Sequence, residues 1–323
     1  MATSATSPTP PPLAVPPSLD TLYGHHATGF AIATAVVIAA ALFWPTHLAA
    51  ATLPLLGAMV ALVGVPHGAL DHYAGRLLWG KGKGGWWNVG FFVGYGLFAA
   101  AIIACWLAVP GVTLGVFLLA SVLHFGEGDA LGSRWPDSEA AARGLMPVVL
   151  PTACYPNEVE QLFALLSHPA AAATLTTAIE PLLWPTLGLA TLAIGRALWR
   201  VKTTGTRAAA ASAVELLAVA ALFCLVPPLV AFAVYFGLLH SLRHLMDSAL
   251  AWTGHTGPAA WGFLLRTAFP ITVLSLVLAA AAYPLLSEAT FEGRWLQIIF
   301  IGLAAVTFPH MALITVAKRR GVL

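Results

Sequence analysis

Apolar residues in this chain come in blocks of about twenty, separated by short connections rich in Gly, Pro and charge. A helix needs about 20 predominantly apolar residues to cross the hydrocarbon layer of a bilayer. The runs that meet this length are 28–46, 49–70, 87–108, 111–130, 182–200, 209–226, 228–250, 261–286 and 295–317. A shorter run at 143–156 fits a half-helix or a re-entrant segment. The pattern therefore predicts an all-α, polytopic transmembrane bundle of eight to ten segments. Residues 1–27, beginning MATSATSPTPPPLAVPPSLD, are rich in Pro, Ser and Thr and lack the positive stretch of a cleaved signal. They read as a disordered leader, with residues 28–323 forming a single transmembrane domain.

Composition agrees with the pattern. Of the 323 residues, 59% are hydrophobic and only 9% charged, with a mean hydropathy of +0.85. A soluble domain carries roughly 25% charged residues. The lipid bilayer is thus the expected surroundings, and no basic stripe suggests nucleic acid. Cys105, Cys154 and Cys224 are far apart in sequence with no C-x-x-C, so they support neither a disulfide framework nor a zinc finger.

Charge orients the segments. Arg76, Lys81 and Lys83 follow the second run, and Arg134 and Arg143 follow the fourth. Arg196, Arg200, Lys202 and Arg207 lie between 182–200 and 209–226, and Lys318, Arg319 and Arg320 close the chain. If ten segments cross, all four groups share one side, which the positive-inside rule makes cytoplasmic. This predicts a multi-pass protein of the cell (inner) membrane with both termini cytoplasmic.

Four histidines stand near the inner ends of runs that cross in the same direction: His67 in GVPHGALDHY, His124 in LHFGEGD, and His240 and His244 in LLHSLRHL. An ionisable ring in hydrocarbon is costly unless paired or ligated, so such residues mark functional sites. His240 and His244 stand four apart and share a helix face. Together with His67 and His124 they can supply four nitrogens to one metal, and imidazole suits Fe, Zn, Cu or Ni alike. Ligating rings usually pass their second N–H to a carboxylate or carbonyl. Asp71, Glu127, Asp129 and Asp247 are the nearest acidic candidates for that support, and His72 and His310 are further supporting candidates. His25, His26, His47, His168 and His255 read as solvated.

Missing motifs narrow the chemistry. There is no H-E-x-x-H for a zincin, no H-x-x-H-H cluster for a desaturase, no intrahelical lysine for a retinal Schiff base and no phosphate-binding G-x-x-x-x-G-K-[ST]. A membrane transporter or binding protein for a metal or carotenoid, and a haem-binding cytochrome, stay open on the residues alone.

The ordered pieces GVPHGALDH (64–72), LHFGEGD (123–129), HSLRH (240–244) and FPHM (308–311) resemble the Brp/Blh family of membrane carotenoid-cleaving proteins. The resemblance extends from about residue 30 to the C-terminus. It implies oxidative central cleavage of β-carotene by O2 to two retinals at a non-haem Fe2+. It also implies that His67, His124, His240 and His244 hold the iron. A rhodopsin supplied with retinal would be the downstream partner.

Overall fold

The computed structural model describes residues 17–130 and 137–322. Residues 1–16 of the expected leader and Arg134 lie outside the described residues. The fold is a polytopic helical bundle with no strand among the described residues, as the apolar pattern requires. Its helices are α1 (Pro17–Phe43), α2 (Pro45–Gly80), α3 (Trp86–Ala108), α4 (Pro110–Asp129), α5 (Ser138–Cys154), α6 (Pro156–Leu166), α7 (Pro169–Thr204), α8 (Arg207–Leu225), α9 (Pro228–Thr253), α10 (Pro258–Leu285) and α11 (Phe291–Arg319). Among the described residues, nine of them are long and apolar enough to cross a membrane. The seventeen-residue α5 falls short of that length but runs alongside α8. Arg143 near its start meets Glu215, and Cys154 at its end lies beside Cys224.

Polar contacts show which helix ends share a face. Asp20 accepts hydrogen bonds from the backbone N–H groups of Arg207 and Ala208, so α1 caps the N-terminus of α8. Lys318 at the end of α11 donates to the carbonyl of Glu127 at the end of α4. At the opposite face, Trp106 and Gln297 donate to the carbonyls of Leu166 and Leu165, supplying partners at the end of α6. Both described ends of the chain therefore lie on one face of the bundle. Helix α1 starts at Pro17, upstream of the apolar run. Its first turns are held by Asp20, by Tyr23 donating to Asp247, and by His26 meeting the Leu238 carbonyl.

Helix α9 lies at the centre and is buried along most of its length, whereas α3 and α10 present apolar faces outward. Trp86, at the start of α3, is 87% exposed, where an indole suits the membrane interface. Helices α2 and α9 approach closely through reciprocal glycines. A Cβ on Gly64 would fall 2.5 Å from the Phe236 ring, and one on Gly237 would fall 2.7 Å from Met59 Sδ. Both helices widen to π-helical turns here, at Val60–Gly64 and Tyr235–Ser241. The α2 turn has a local cause, since the Pro66 ring crowds the carbonyl four residues before it. Val65 N–H instead reaches the Val60 carbonyl, five residues back. Single π turns inside α-helices often occur at functional positions.

Helices α4 and α5 pack still more tightly, because a Cβ on Gly144 would lie 2.0 Å from the Val122 carbonyl oxygen. That oxygen is backbone and cannot swing away. Gly144→Ala should therefore destabilise the bundle by about 1–3 kcal/mol or more, read as a lower thermal midpoint in detergent. Wild-type stability in this variant would contradict the close approach.

Candidate metal centre

Five histidine rings from four helices meet near the shared face. His67 comes from α2, His124 from α4, His240 and His244 from α9, and His310 from α11. One ligand atom each of His67, His124 and His240 lie within 4.8 Å of one another. His240 Nε2 is 3.1 Å from His124 Nε2. The His244 ring centroid is 5.4 Å from that of His67, and the His310 centroid is 5.1 Å from His67 and 5.2 Å from His124. His67, His240 and His310 are buried, while His124 and His244 are partly exposed. These two line a small cleft with Glu127, Met311, Thr315 and Lys318.

Two of the rings are fixed by carboxylates. His240 Nδ1–H donates to Asp129 Oδ1 at 3.0 Å, and Tyr235 donates to Asp129 Oδ2 at 2.6 Å. His310 Nδ1–H donates to Asp71 Oδ1 at 2.7 Å, and the Tyr95 hydroxyl stands 2.8 Å from Asp71 Oδ2. An ionised carboxylate only accepts, so each of these rings carries its proton on Nδ1 and keeps a lone pair on Nε2. Such carboxylate–imidazole pairs orient rings for ligation and raise their basicity. His67 Nδ1 and His310 Nε2 are buried with no hydrogen-bond partner. Orphaned ring nitrogens beside other imidazoles are what a metal would satisfy, so the donor set fits one.

Apolar surfaces close the inner side. Phe236 stacks on His240 with an interplanar angle of 19°, and Phe125 meets the same ring edge to face at 4.8 Å. Gly128 leaves room for His240, since a Cβ there would come 3.2 Å from Cε1.

The other sequence candidates fall elsewhere. His72 Nδ1 bonds the Ala69 carbonyl and its ring lies against Phe92. Glu127 is exposed near the end of α4, where it lines the cleft and its backbone carbonyl accepts from Lys318. Asp247 accepts from Tyr23. His26 corrects the solvated reading: its Nε2 meets Leu238 O at 2.8 Å and its Nδ1 faces Arg243 at 3.2 Å. From the sequence, Tyr95 and Tyr235 suggest only aromatic lining for an apolar substrate, and Arg243 has no role; the structure places both hydroxyls on carboxylates and Arg243 on Glu215. Each sits far from its partner in sequence, so local spacing carries no sign of it.

An ionic network braces this side of the centre. Arg243 pairs with Glu215 and donates to the Asp129 carbonyl at 2.9 Å. Glu215 also binds Arg143 at 3.0 Å, and Arg143 and Arg200 hold Glu139 at 3.1 and 2.8 Å. Every member but Arg200 is nearly inaccessible.

A family model described as beta-carotene 15,15′-dioxygenase matches residues 58–318, which contain all five rings. The chain belongs to the beta-carotene 15,15′-dioxygenase family. The beta-carotene 15,15′-dioxygenase of an uncultured marine bacterium (66A03) is 32% identical over 264 residues, spanning 80% of this chain and 90% of that protein. The probable beta-carotene 15,15′-dioxygenase Blh of Halobacterium salinarum is 29% identical over 301 residues, spanning 84% and 85%. No solved structure matches the chain. Within this family member, Glu215→Leu should cost about 3–5 kcal/mol, because it leaves Arg143 and Arg243 buried around no shared carboxylate. Unfolding in detergent measures it, and unchanged stability would show that the network carries no load.

Proposed function

We propose that this chain cleaves β-carotene at its central 15,15′ double bond with O2, releasing two molecules of retinal. The reaction breaks one C=C bond and forms two C=O bonds, and O2 is the oxidant that balances it. The observation that carries the proposal is the convergence of imidazoles from three helices, His67, His124 and His240, within a chain of this family. His67, His124, His240 and His244 would hold a non-haem Fe2+. When bound, that iron supplies the binding and activation of O2.

The chain's own residues do the rest. Asp129 and Tyr235 keep the His240 ring in one tautomer and one orientation. Neutral imidazoles leave the charge of a bound cation uncompensated, and the buried Asp129 and Asp71 balance it from one ring away. Phe125 and Phe236 keep water from the inner side of the cluster. The substrate offers no group to hydrogen-bond, so it must be held by shape and apolar contact. It is dissolved in the bilayer, and a site between membrane helices can receive it laterally.

The positive-inside pattern supports an inner-membrane protein with the histidine face and both termini cytoplasmic. Retinal made there is available to a rhodopsin in the same membrane.

Expression in a β-carotene-producing cell tests the proposal. Loss of orange colour with retinal appearing is the expected result, and unchanged colour with intact protein would overturn it. His67→Ala, His124→Ala, His240→Ala and His244→Ala should each abolish retinal formation, and full activity in any of them would remove that ring from the set. Asp129→Asn should lower activity by about 10–100-fold while leaving the protein folded. Retinal assayed by chromatography against protein level measures that loss, and an undiminished rate would deny Asp129 its orienting role.

A further inference from the structure

His240 and His310 are held in the same way by different parts of the chain. One line runs Tyr235–Asp129–His240, with steps of 2.6 and 3.0 Å. The other runs Tyr95–Asp71–His310, with steps of 2.8 and 2.7 Å. The two lines draw on different helices, α9 and α4 for the first and α3, α2 and α11 for the second. The first line ends at His240 Nε2, 3.1 Å from His124. The second ends at His310 Nε2, which is buried and has no partner.

A histidine serving only to tie α11 to α2 would need one nitrogen, and its other edge could face water or an apolar wall. The His310 ring instead faces three other imidazoles, with centroids 5.1 Å from His67, 5.2 Å from His124 and 5.2 Å from His244. Its Nδ1 proton is committed to Asp71, so the lone pair sits on the other ring nitrogen, the buried and unpartnered Nε2. Leaving that lone pair bare at 2% exposure costs free energy that a cation would recover. Tyr95 adds a second tie, since its hydroxyl also lies 3.1 Å from the Val306 carbonyl, one turn before His310 on α11.

We propose that His310 is a fifth imidazole ligand of the metal centre, and that Asp71, itself held by Tyr95, is its positioning carboxylate. This rests on the metal-centre reading above and extends its ligand set. A fifth nitrogen would leave a bound metal fewer positions for O2. It also attaches α11 to the site, so the last helix contributes to binding as well as to packing.

Anaerobic titration of the purified full-length protein with Co2+, followed by its d–d absorption and by chelator competition, tests this without recourse to turnover. Wild-type protein should bind about one Co2+. His310→Ala should bind it more weakly and with an altered d–d spectrum, and added imidazole should restore the wild-type bands. Asp71→Asn should weaken binding by about 10–100-fold. Tyr95→Phe removes one hydroxyl from a folded protein and should weaken binding by a smaller factor with the wild-type spectrum kept. This variant keeps the test decisive if His310→Ala fails to fold, since unchanged affinity in Tyr95→Phe and Asp71→Asn would then overturn the proposal. A folded His310→Ala with wild-type affinity and spectrum would overturn it outright, even if that variant lost activity. Wild-type protein that binds no Co2+, Fe2+ or Zn2+ would instead sink the metal-centre reading itself.

Discussion

A polar ring inside a lipid-facing bundle must have both of its nitrogens satisfied, and most of this structure follows from that requirement. For His240 and His310, one nitrogen is satisfied by a buried carboxylate. The carboxylates in turn need partners, which Tyr235 and Tyr95 supply. Asp129 is also the last residue of α4, and its carbonyl accepts from Arg243. That arginine needs its own counter-charge, Glu215, which is shared with Arg143. Starting from one imidazole, the demand for partners leads through α9, α4, α8 and α5. A buried ion network is weak grounds for stability, but removing one of its members is costly. It therefore fixes where the helices can sit more than how firmly they hold.

Close approach of backbones is the second requirement. Gly64 and Gly237 let α2 and α9 come near enough for His67 to face His240 and His244. Gly144 does the same for α4 and α5. The π turns in α2 and α9 shift the register of the helices just where the rings are presented. Small residues at helix contacts are the usual means of tight packing in a bilayer, where lipid tails give apolar side chains no reason to prefer each other.

Much of this was legible in the sequence, and what was not shares one cause. The apolar runs located the spans, because hydropathy is a local property with a fixed length scale, although α1, α2 and α7 extend well beyond the runs 28–46, 49–70 and 182–200. Charge in the connections places the histidine-bearing ends on one side, and the structure brings their rings together. The i, i+4 spacing of His240 and His244 marked one face, although a π turn alters the exact angle. The sequence marked His310 only as a supporting candidate, and it could not show that His310 pairs with Asp71 or that Tyr95 reaches Asp71, since those partners stand 239 and 24 positions apart. His26 looked solvated because it precedes the apolar run, yet α1 begins earlier and carries it against Leu238 and Arg243. Local pattern finds helices; pairing between helices needs the fold.

Imidazoles from separate helices are proposed to hold one iron in this chain. X-ray absorption at the iron K-edge of anaerobically loaded, purified protein tests it most directly. Stoichiometric iron surrounded by nitrogen, with the outer-shell scattering of at least four imidazole rings, is the expected result. An oxygen- or sulfur-dominated shell, or protein that retains no iron, would contradict it.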